Sequence, residues 1–297
     1  IEIHTCATAF SLEIVWSSPD MQQNARVVVS AASSNHFKSL RNLVRNGLPD
    51  YSGKILIYDL GLTRDQRREA QLWQRCECRS FAFHEYPPHV SDLKTYAWKP
   101  IIVLQALAEF QTVLWMDSGI LVEKADTLWQ LFSLVERFGF FSPAINFPIG
   151  PWTFPSVMQL FQAQRWANST QVAGSFVGFN RYSAAFAVIA MPWRACAAEQ
   201  ACIAPQGSNR SNHRQDQSIL SILAHRSAAV IYPSPGHWPF VGLLFGQDID
   251  FAIRILTPSS GSRVPWPNAA SSSSAHPPQP AAIELTWQVQ CEDGVFE

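Results

Sequence analysis

The chain has 297 residues, 47% of them hydrophobic and only 15% charged, with a formal net charge of −1. That length fits one large domain or two small ones, with ample apolar material for a core. The sparse, balanced charge argues against a nucleic-acid partner, which is held through clustered Lys and Arg, and no run of about 18 apolar residues is present to span a membrane.

Val27 to Ser33 (VVVSAAS) reads as a buried strand, a β-branched run ending in small residues. Asn35 is placed to cap a helix that runs to Asn46 and is stopped by Gly47 and Pro49. Lys54 to Leu60 (KILIYDL) is a second strand. Thr63 to Arg75 is a charged helix with a Thr cap and Asp65 in its first turn. Ser80 to Tyr86 alternates like a third strand and is ended by Pro87-Pro88. Ala97 to Phe110 is a helix with Pro100 in its first turn, where proline is tolerated. Val113 to Val122 (VLWMDSGILV) is a fourth strand, Asp126 to Phe138 a further helix, and Phe140 to Ala144 a short strand.

This alternation of strand and helix implies βαβ crossovers and a largely parallel sheet covered by helices. The second half is less regular. It holds a strand at Gly174 to Asn180, a helix after Ser183, a loop carrying Cys196 and Cys202, a helix from Asp216, and a strand at Ala228 to Tyr232. Residues 1–258 are expected to form one domain. Residues 259–282 are rich in Ser, Pro, Gly and Ala and read as a flexible linker, and 283–297 as a segment returning to the body.

Six cysteines are present. Cys76 and Cys78 are too closely spaced for an ordinary zinc knuckle, whereas Cys196 and Cys202 could close a short loop, and Cys6 and Cys291 lie near the two ends. With the sequons Asn168-Ser-Thr and Asn209-Arg-Ser, these cysteines point to an oxidising, secretory compartment. The chain opens at Ile1 with no start Met or signal peptide, so any membrane attachment is expected through an anchor preceding it.

Asp117 stands where the fourth strand leaves the sheet, and in an open parallel α/β sheet ligands lie beyond the carboxyl ends of the strands. A carboxylate there either holds a divalent cation or turns the strand end. No G-x-G-x-x-G follows the first strand and no G-x-S-x-G elbow occurs, so a dinucleotide enzyme and a serine hydrolase lack support.

Three blocks carry a resemblance to a known family. Lys94-Thr-Tyr-Ala-Trp-Lys99 precedes the helix that leads into VLWMDSGILV. Ala173-Gly-Ser-Phe-Val-Gly-Phe-Asn180 and His213-Arg-Gln-Asp-Gln217 follow in order. Together they resemble the GT-A glycosyltransferases of the family 8 type, over roughly Val27 to Trp238. The resemblance implies a GT-A, Rossmann-like, mostly parallel sheet flanked by helices, with a less regular acceptor-side second half. It implies transfer of a sugar from a nucleotide-diphosphate donor, expected to be a UDP-sugar, to a glycan or glycoprotein, with retention of anomeric configuration, in the Golgi or ER lumen.

By the same resemblance Asp216 and Gln217 are the catalytic pair, with Asp216 on sugar hydroxyls and Gln217 below the anomeric carbon. Read from the sequence alone, Asp216 is equally a helix N-cap and Gly174 equally a strand bulge. Ala31, Ser33, Tyr96, Lys99, Asp117, Gly119 and Gly174 would line the donor. Asp117 and His237 would hold Mn²⁺ or Mg²⁺. Lys99 at a helix start would meet the diphosphate, since a Lys there is otherwise mildly unfavourable. Asp59, near the end of the second strand, is either a ribose contact or a turn residue. Gly119 stands where the family has its second motif Asp, and the stretch around His237 lacks the family's Lys-Pro. These two departures also admit a second reading, a catalytically silent protein that binds nucleotide or sugar.

Overall fold

The computed structural model describes residues 25–48, 51–122, 125–227, 240–241 and 253–255, all within one compact unit, Asp20–Ser262. The expected strand at Ala228, the linker, the C-terminal segment, His237, Cys6 and Cys291 lie outside the described residues.

The first half follows the βα alternation. Strand β1 (Arg26–Ala32) is followed by helix α1 (Phe37–Asn46), β2 (Lys54–Asp59) by α2 (Arg64–Gln71), and β3 (Cys76–Ser80) by α3 (Trp98–Glu109). Strand β4 (Thr112–Met116) then leads through a turn to β5 (Ile120–Val122) and α4 (Ala125–Phe138). The second half holds β6 (Phe140–Phe141), β7 (Ala144–Pro148), α5 (Pro155–Leu160), β8 (Thr170–Val172) and β9 (Phe176–Asn180). It continues with α6 (Met191–Ala198), α7 (Gln200–Ile203), α8 (Gln215–Arg226), β10 (Phe240–Val241) and β11 (Ile253–Ile255).

Six strands form one sheet in the order β3-β2-β1-β4-β9-β6. The first four are parallel, β9 runs antiparallel to β4, and β6 pairs antiparallel with β9. Residues 27–32 of β1 and all of β4 are buried, as expected of strands covered on both faces. One face packs against α3, α6 and α8 through Val27, Val29, Val113, Trp115 and Phe179. The other packs against α1 and α4 through Val28, Ile55, Leu114 and Phe176. The α/β class and mostly parallel sheet expected from the sequence are therefore present.

Several boundaries differ. The third strand is Cys76–Ser80, and Ser80 to Tyr86 is not a strand. In β3, Cys76 and Cys78 turn toward the core, while Glu77 and Arg79 pair on the opposite face at 2.6 Å. This edge strand needs no apolar run. The aromatics beyond it pack on one another in short 3₁₀ turns, with Phe81 stacked on Tyr86 at 5.2 Å. Helix α2 has its expected Thr63 capping box but ends at Gln71, and Arg75 takes a left-handed φ of 64° that no helix continues. Asn35 caps nothing; a 3₁₀ turn, Ser34–His36, precedes α1. Cys196 and Cys202 sit on α6 and α7 and form a disulfide, with Cα atoms 5.2 Å apart. Cys76 and Cys78 are free and half-buried. Among the described residues no helix is long and apolar enough to cross a membrane.

Candidate functional site

The expected single strand Val113 to Val122 is broken at Asp117. Its carbonyl accepts the Ile120 N–H at 3.0 Å, making a turn, and its N–H donates to the Ser175 carbonyl at 2.8 Å. Three chain crossings converge there. Helix α3 connects β3 to the parallel β4, so its first turn lies at the carboxyl end of the sheet. Strand β9 runs antiparallel to β4, Met116 facing Phe176, so Gly174 and Ser175 come to that same end. Helix α8 brings Asp216 and Gln217 against Gly174, where a Cβ would lie 3.0 Å from Asp216 Oδ2 and 3.1 Å from Gln217 Cβ.

Lys99 is the centre of this cluster. It is 2% exposed because α3 is apolar on nearly every side. Its ammonium donates to the Gly174 carbonyl at 3.0 Å, and lies 3.0 Å from Asp117 Oδ1 and 3.4 Å from Asp216 Oδ2. Burial alone would discharge it, but Asp117 and Asp216 outweigh that and hold the ammonium protonated above its usual range. The Gly174 carbonyl takes one of its N–H donors, and the two carboxylates balance its charge. The direct diphosphate contact expected of Lys99 is therefore not the one it makes; it lies beneath the site and fixes the two carboxylates.

Asp117 is the outward member, its side chain 38% exposed. Oδ1 also accepts the Trp115 indole N–H at 2.7 Å, a contact that follows from residues i and i+2 sharing a strand face. Oδ2 has no hydrogen-bond partner among the described residues. Asp216 is 4% exposed, and burial pushes its carboxyl up to about 6 despite Lys99. Its carbonyl accepts the Trp193 indole N–H at 2.8 Å. Its Oδ2, held by charge, accepts no well-formed hydrogen bond from a described residue, an unmet need in a buried carboxylate.

Gln217 is held at both ends of its amide: Oε1 accepts the Gly174 N–H at 3.3 Å, and Nε2 donates to the buried Gln171 Oε1 at 2.5 Å. Tyr96 is half-buried, with its hydroxyl accepting from Arg210 Nη1 at 2.8 Å. Of the four non-glycine residues with positive φ among the described residues, two border the cluster, Tyr96 (53°) and Gln215 (38°). Strained backbone of this kind persists where the surrounding structure enforces it.

The remaining expected residues are placed as follows. Ala31 is buried on the same sheet face as Trp115. The Ser33 hydroxyl is engaged by Asn35 Oδ1 at 2.6 Å. Gly119 faces open space. Asp59 is a turn residue, its Oδ1 accepting the N–H groups of Gly61 and Leu62 at 2.8 and 2.6 Å and its Oδ2 meeting Arg67 at 2.6 Å. Sequence reasoning passed over Trp115, Gln171 and Arg210. It also missed Lys99 as a buried ion. Between Thr95 and Val122 the only charges are Lys99, Glu109 and Asp117, and a lysine in so apolar a helix must find a carboxylate.

Of the two expected metal ligands, His237 lies outside the described residues and Asp117 has its Oδ1 shared between the Lys99 ammonium and the Trp115 indole; Gly119 offers no side-chain ligand. No group of three or more His, Cys, Asp or Glu suited to a metal occurs among the described residues.

Taken together, a carboxylate cluster sits at the carboxyl mouth of a mostly parallel sheet, the place where α/β enzymes bind ligands. Residues 11–104 match a family model described as a protein of unknown function (DUF1647). No curated protein matches. Among solved structures, the chain is similar to an active-site mutant of LgtC, at 18% identity over 66% of this chain and 69% of that one, TM-score 0.43. It is similar to apo mouse xyloside xylosyltransferase 1, at 10% identity over 72% of this chain and 86% of that one, TM-score 0.43. It is also similar to the apo bifunctional glycosyltransferase WbbM, at 12% identity over 67% of this chain, TM-score 0.45; the match spans 37% of WbbM.

Proposed function

We propose that this chain is a GT-A-like glycosyltransferase that moves a sugar from a nucleotide-diphosphate donor, a UDP-sugar, to a hydroxyl of a glycan or glycoprotein. The observation that carries the reading is the outward Asp117 carboxylate, 38% exposed at the carboxyl mouth of the sheet and backed by the buried Lys99 at 3.0 Å. Lys99 also meets the buried Asp216 at 3.4 Å, and Gly174, whose missing Cβ would lie 3.0 Å from Asp216 Oδ2, lets α8 close on this end of the sheet.

In the proposed reaction the bond from the anomeric carbon to the diphosphate oxygen breaks, and its electron pair leaves on the diphosphate. The acceptor oxygen bonds to the anomeric carbon, and its proton passes to the released diphosphate. Gln217, held by Gly174 and Gln171, is assigned to the side of the reacting carbon; passing the acceptor proton to the departing diphosphate puts both on one face of the sugar, which gives retention. Asp117 orients the donor through its outward oxygen. Mn²⁺ or Mg²⁺, expected from the resemblance, has only that oxygen among the described residues, so no step is routed through it. The Cys196–Cys202 disulfide and the exposed Asn168 and Asn209 of the two sequons support a secretory location, in the Golgi or ER lumen.

The test is a screen of UDP- and GDP-sugars for hydrolysis and transfer, with and without Mn²⁺. The wild type should turn over one donor, and Asp117→Asn, which preserves shape, should lose most of that turnover. A fully active Asp117→Asn refutes the assignment. Gly119 favours the second reading, a silent nucleotide-binding protein. UDP bound in calorimetry with no donor consumed would establish that instead.

A further inference from the structure

We propose that Gln171 is a positioning residue that fixes which end of the Gln217 amide faces the reacting sugar. This rests on the glycosyltransferase reading and deepens it.

Helix α8 is joined to β8 through one polar stripe. Gln217, Ser221 and His225 stand at i, i+4 and i+8 of the helix and so share a face. His225 Nε2 donates to the Thr170 carbonyl at 2.7 Å. Ser221 Oγ accepts the Val172 N–H at 3.0 Å and donates to the Gln217 carbonyl at 2.7 Å. Gln217 Oε1 accepts the Gly174 N–H at 3.3 Å, and its Nε2 donates to Gln171 Oε1 at 2.5 Å. Of these contacts only the one between Gln217 and Gln171 joins two side chains.

The direction of this amide pair follows from a group that can only donate. The Gly174 N–H requires an oxygen, so the end of Gln217 beside it is Oε1. The other end is Nε2, which needs an acceptor, and Gln171 presents Oε1 to it. Gln171 is left with its own Nε2. That atom is buried with no hydrogen-bond partner among the described residues, in a residue that is 0% exposed. A buried amide with an unmet donor is unfavourable, and an apolar side chain of the same shape would leave none. What the Gln171 amide contributes is one acceptor, and Gln217 takes it.

Gln217 itself is half-buried and lies against Gly174, whose carbonyl accepts the Lys99 ammonium at 3.0 Å. Its oxygen therefore stands at the Lys99 cluster. A carbonyl oxygen has two lone pairs. The Gly174 N–H takes one, and the other offers partial negative charge to the anomeric carbon, which becomes positive as its bond to the diphosphate breaks. A turned Gln217 would set donor against donor at Gly174 and acceptor against acceptor at Gln171, and would present N–H groups to that carbon.

The experiment measures UDP release by the full chain from a panel of UDP-hexoses and UDP-pentoses, with UDP affinity from calorimetry on the same preparations. Gln171→Met keeps the shape and removes the acceptor. It should lower kcat about tenfold, the loss of one hydrogen bond, with KM and UDP affinity within about twofold of the wild type. Gln171→Glu restores the acceptor oxygen and replaces only the unpartnered nitrogen, so it should recover most of kcat. A side chain needed only for packing gives the opposite order, Met mild and a buried Glu harsh. Because Gln171 acts through Gln217, adding Gln171→Met to Gln217→Met should slow donor turnover no further. Full activity in Gln171→Met, the opposite order of Met and Glu, multiplied losses in the double variant, or UDP affinity lost together with kcat overturns this proposal and leaves the glycosyltransferase reading standing. A wild type that releases UDP from no member of the panel overturns both.

Discussion

At the scale of single residues, two buried titratable groups pull stability in opposite directions with pH. His213 is wholly buried; its Nδ1 accepts the Phe154 N–H at 3.3 Å and its Nε2 donates to the Ile203 carbonyl at 3.1 Å. Burial lowers its pKa from 6.5 to about 4. The unfolded chain therefore binds more protons there, and stability falls as pH drops through that interval. Asp216 has the reverse sign. Its pKa is raised from 3.8 to about 6, so the folded chain binds more protons, and stability is gained as pH falls through 6. The two act in opposite directions over overlapping pH ranges in the wild type. Asp216→Asn removes one of them. Its melting temperature should fall more steeply than the wild type's between pH 7 and pH 4, measured by thermal denaturation across the series. A parallel pair of curves would show that Asp216 does not hold its proton as the geometry requires.

Among the elements, what was legible in the sequence follows from how each one is stabilised. Strands β1, β2 and β4 are β-branched runs buried on both faces, and local pattern alone finds them. Strand β3 is CECRS, held at an edge by Ile55–Cys76 to Asp59–Ser80 pairing and by ion pairs, so its pattern is silent and the aromatic run after it is misleading. Strand β8 is held by pairing with β7 and by Ser221 and His225 of α8, which bond to the Val172 N–H and the Thr170 carbonyl. The site shows the same division. Asp117, Gly174 and Asp216-Gln217 were readable as motifs. Their meeting around Lys99 depends on β9 running antiparallel beside β4, which no local spacing encodes. Gly178 shows how closely these elements fit: a Cβ there would lie 2.4 Å from Val135 Cγ2 on α4 and 2.8 Å from Leu114 Cδ2 on β4. Gly178→Ala should cost about 1–3 kcal/mol through overpacking. Gly119→Ala, into open space, should stay within about 0.5 kcal/mol. Chemical denaturation of the two variants checks the contrast; equal losses would mean that α4 does not rest on β9 as described.

For the whole molecule, the helices on the site's side of the sheet form a continuous support from the disulfide to Asp216. Cys196 on α6 is tied to Cys202 on α7. Helix α6 carries Trp193, fully buried, whose indole holds the Asp216 carbonyl at 2.8 Å. Asp216 in turn meets Lys99 on α3. The closed loop is short, with a sequence separation of 6, so the cross-link restricts the unfolded chain by only about 2 kcal/mol on the loop-entropy account. Apolar burial around Trp193, Ile219, Leu220 and Ile222 is left intact when the bond is lost. The paired substitution Cys196→Ser with Cys202→Ser should therefore lower stability by about 2 kcal/mol, while UDP affinity at 25 °C stays within about twofold of the wild type. Denaturant titration and calorimetry on the same preparation measure both. If UDP affinity collapses while the fold survives, the disulfide positions α6, and through Trp193 the Asp216 backbone, rather than merely restraining the unfolded chain. If neither quantity moves, the burial around Trp193 alone fixes this side of the sheet.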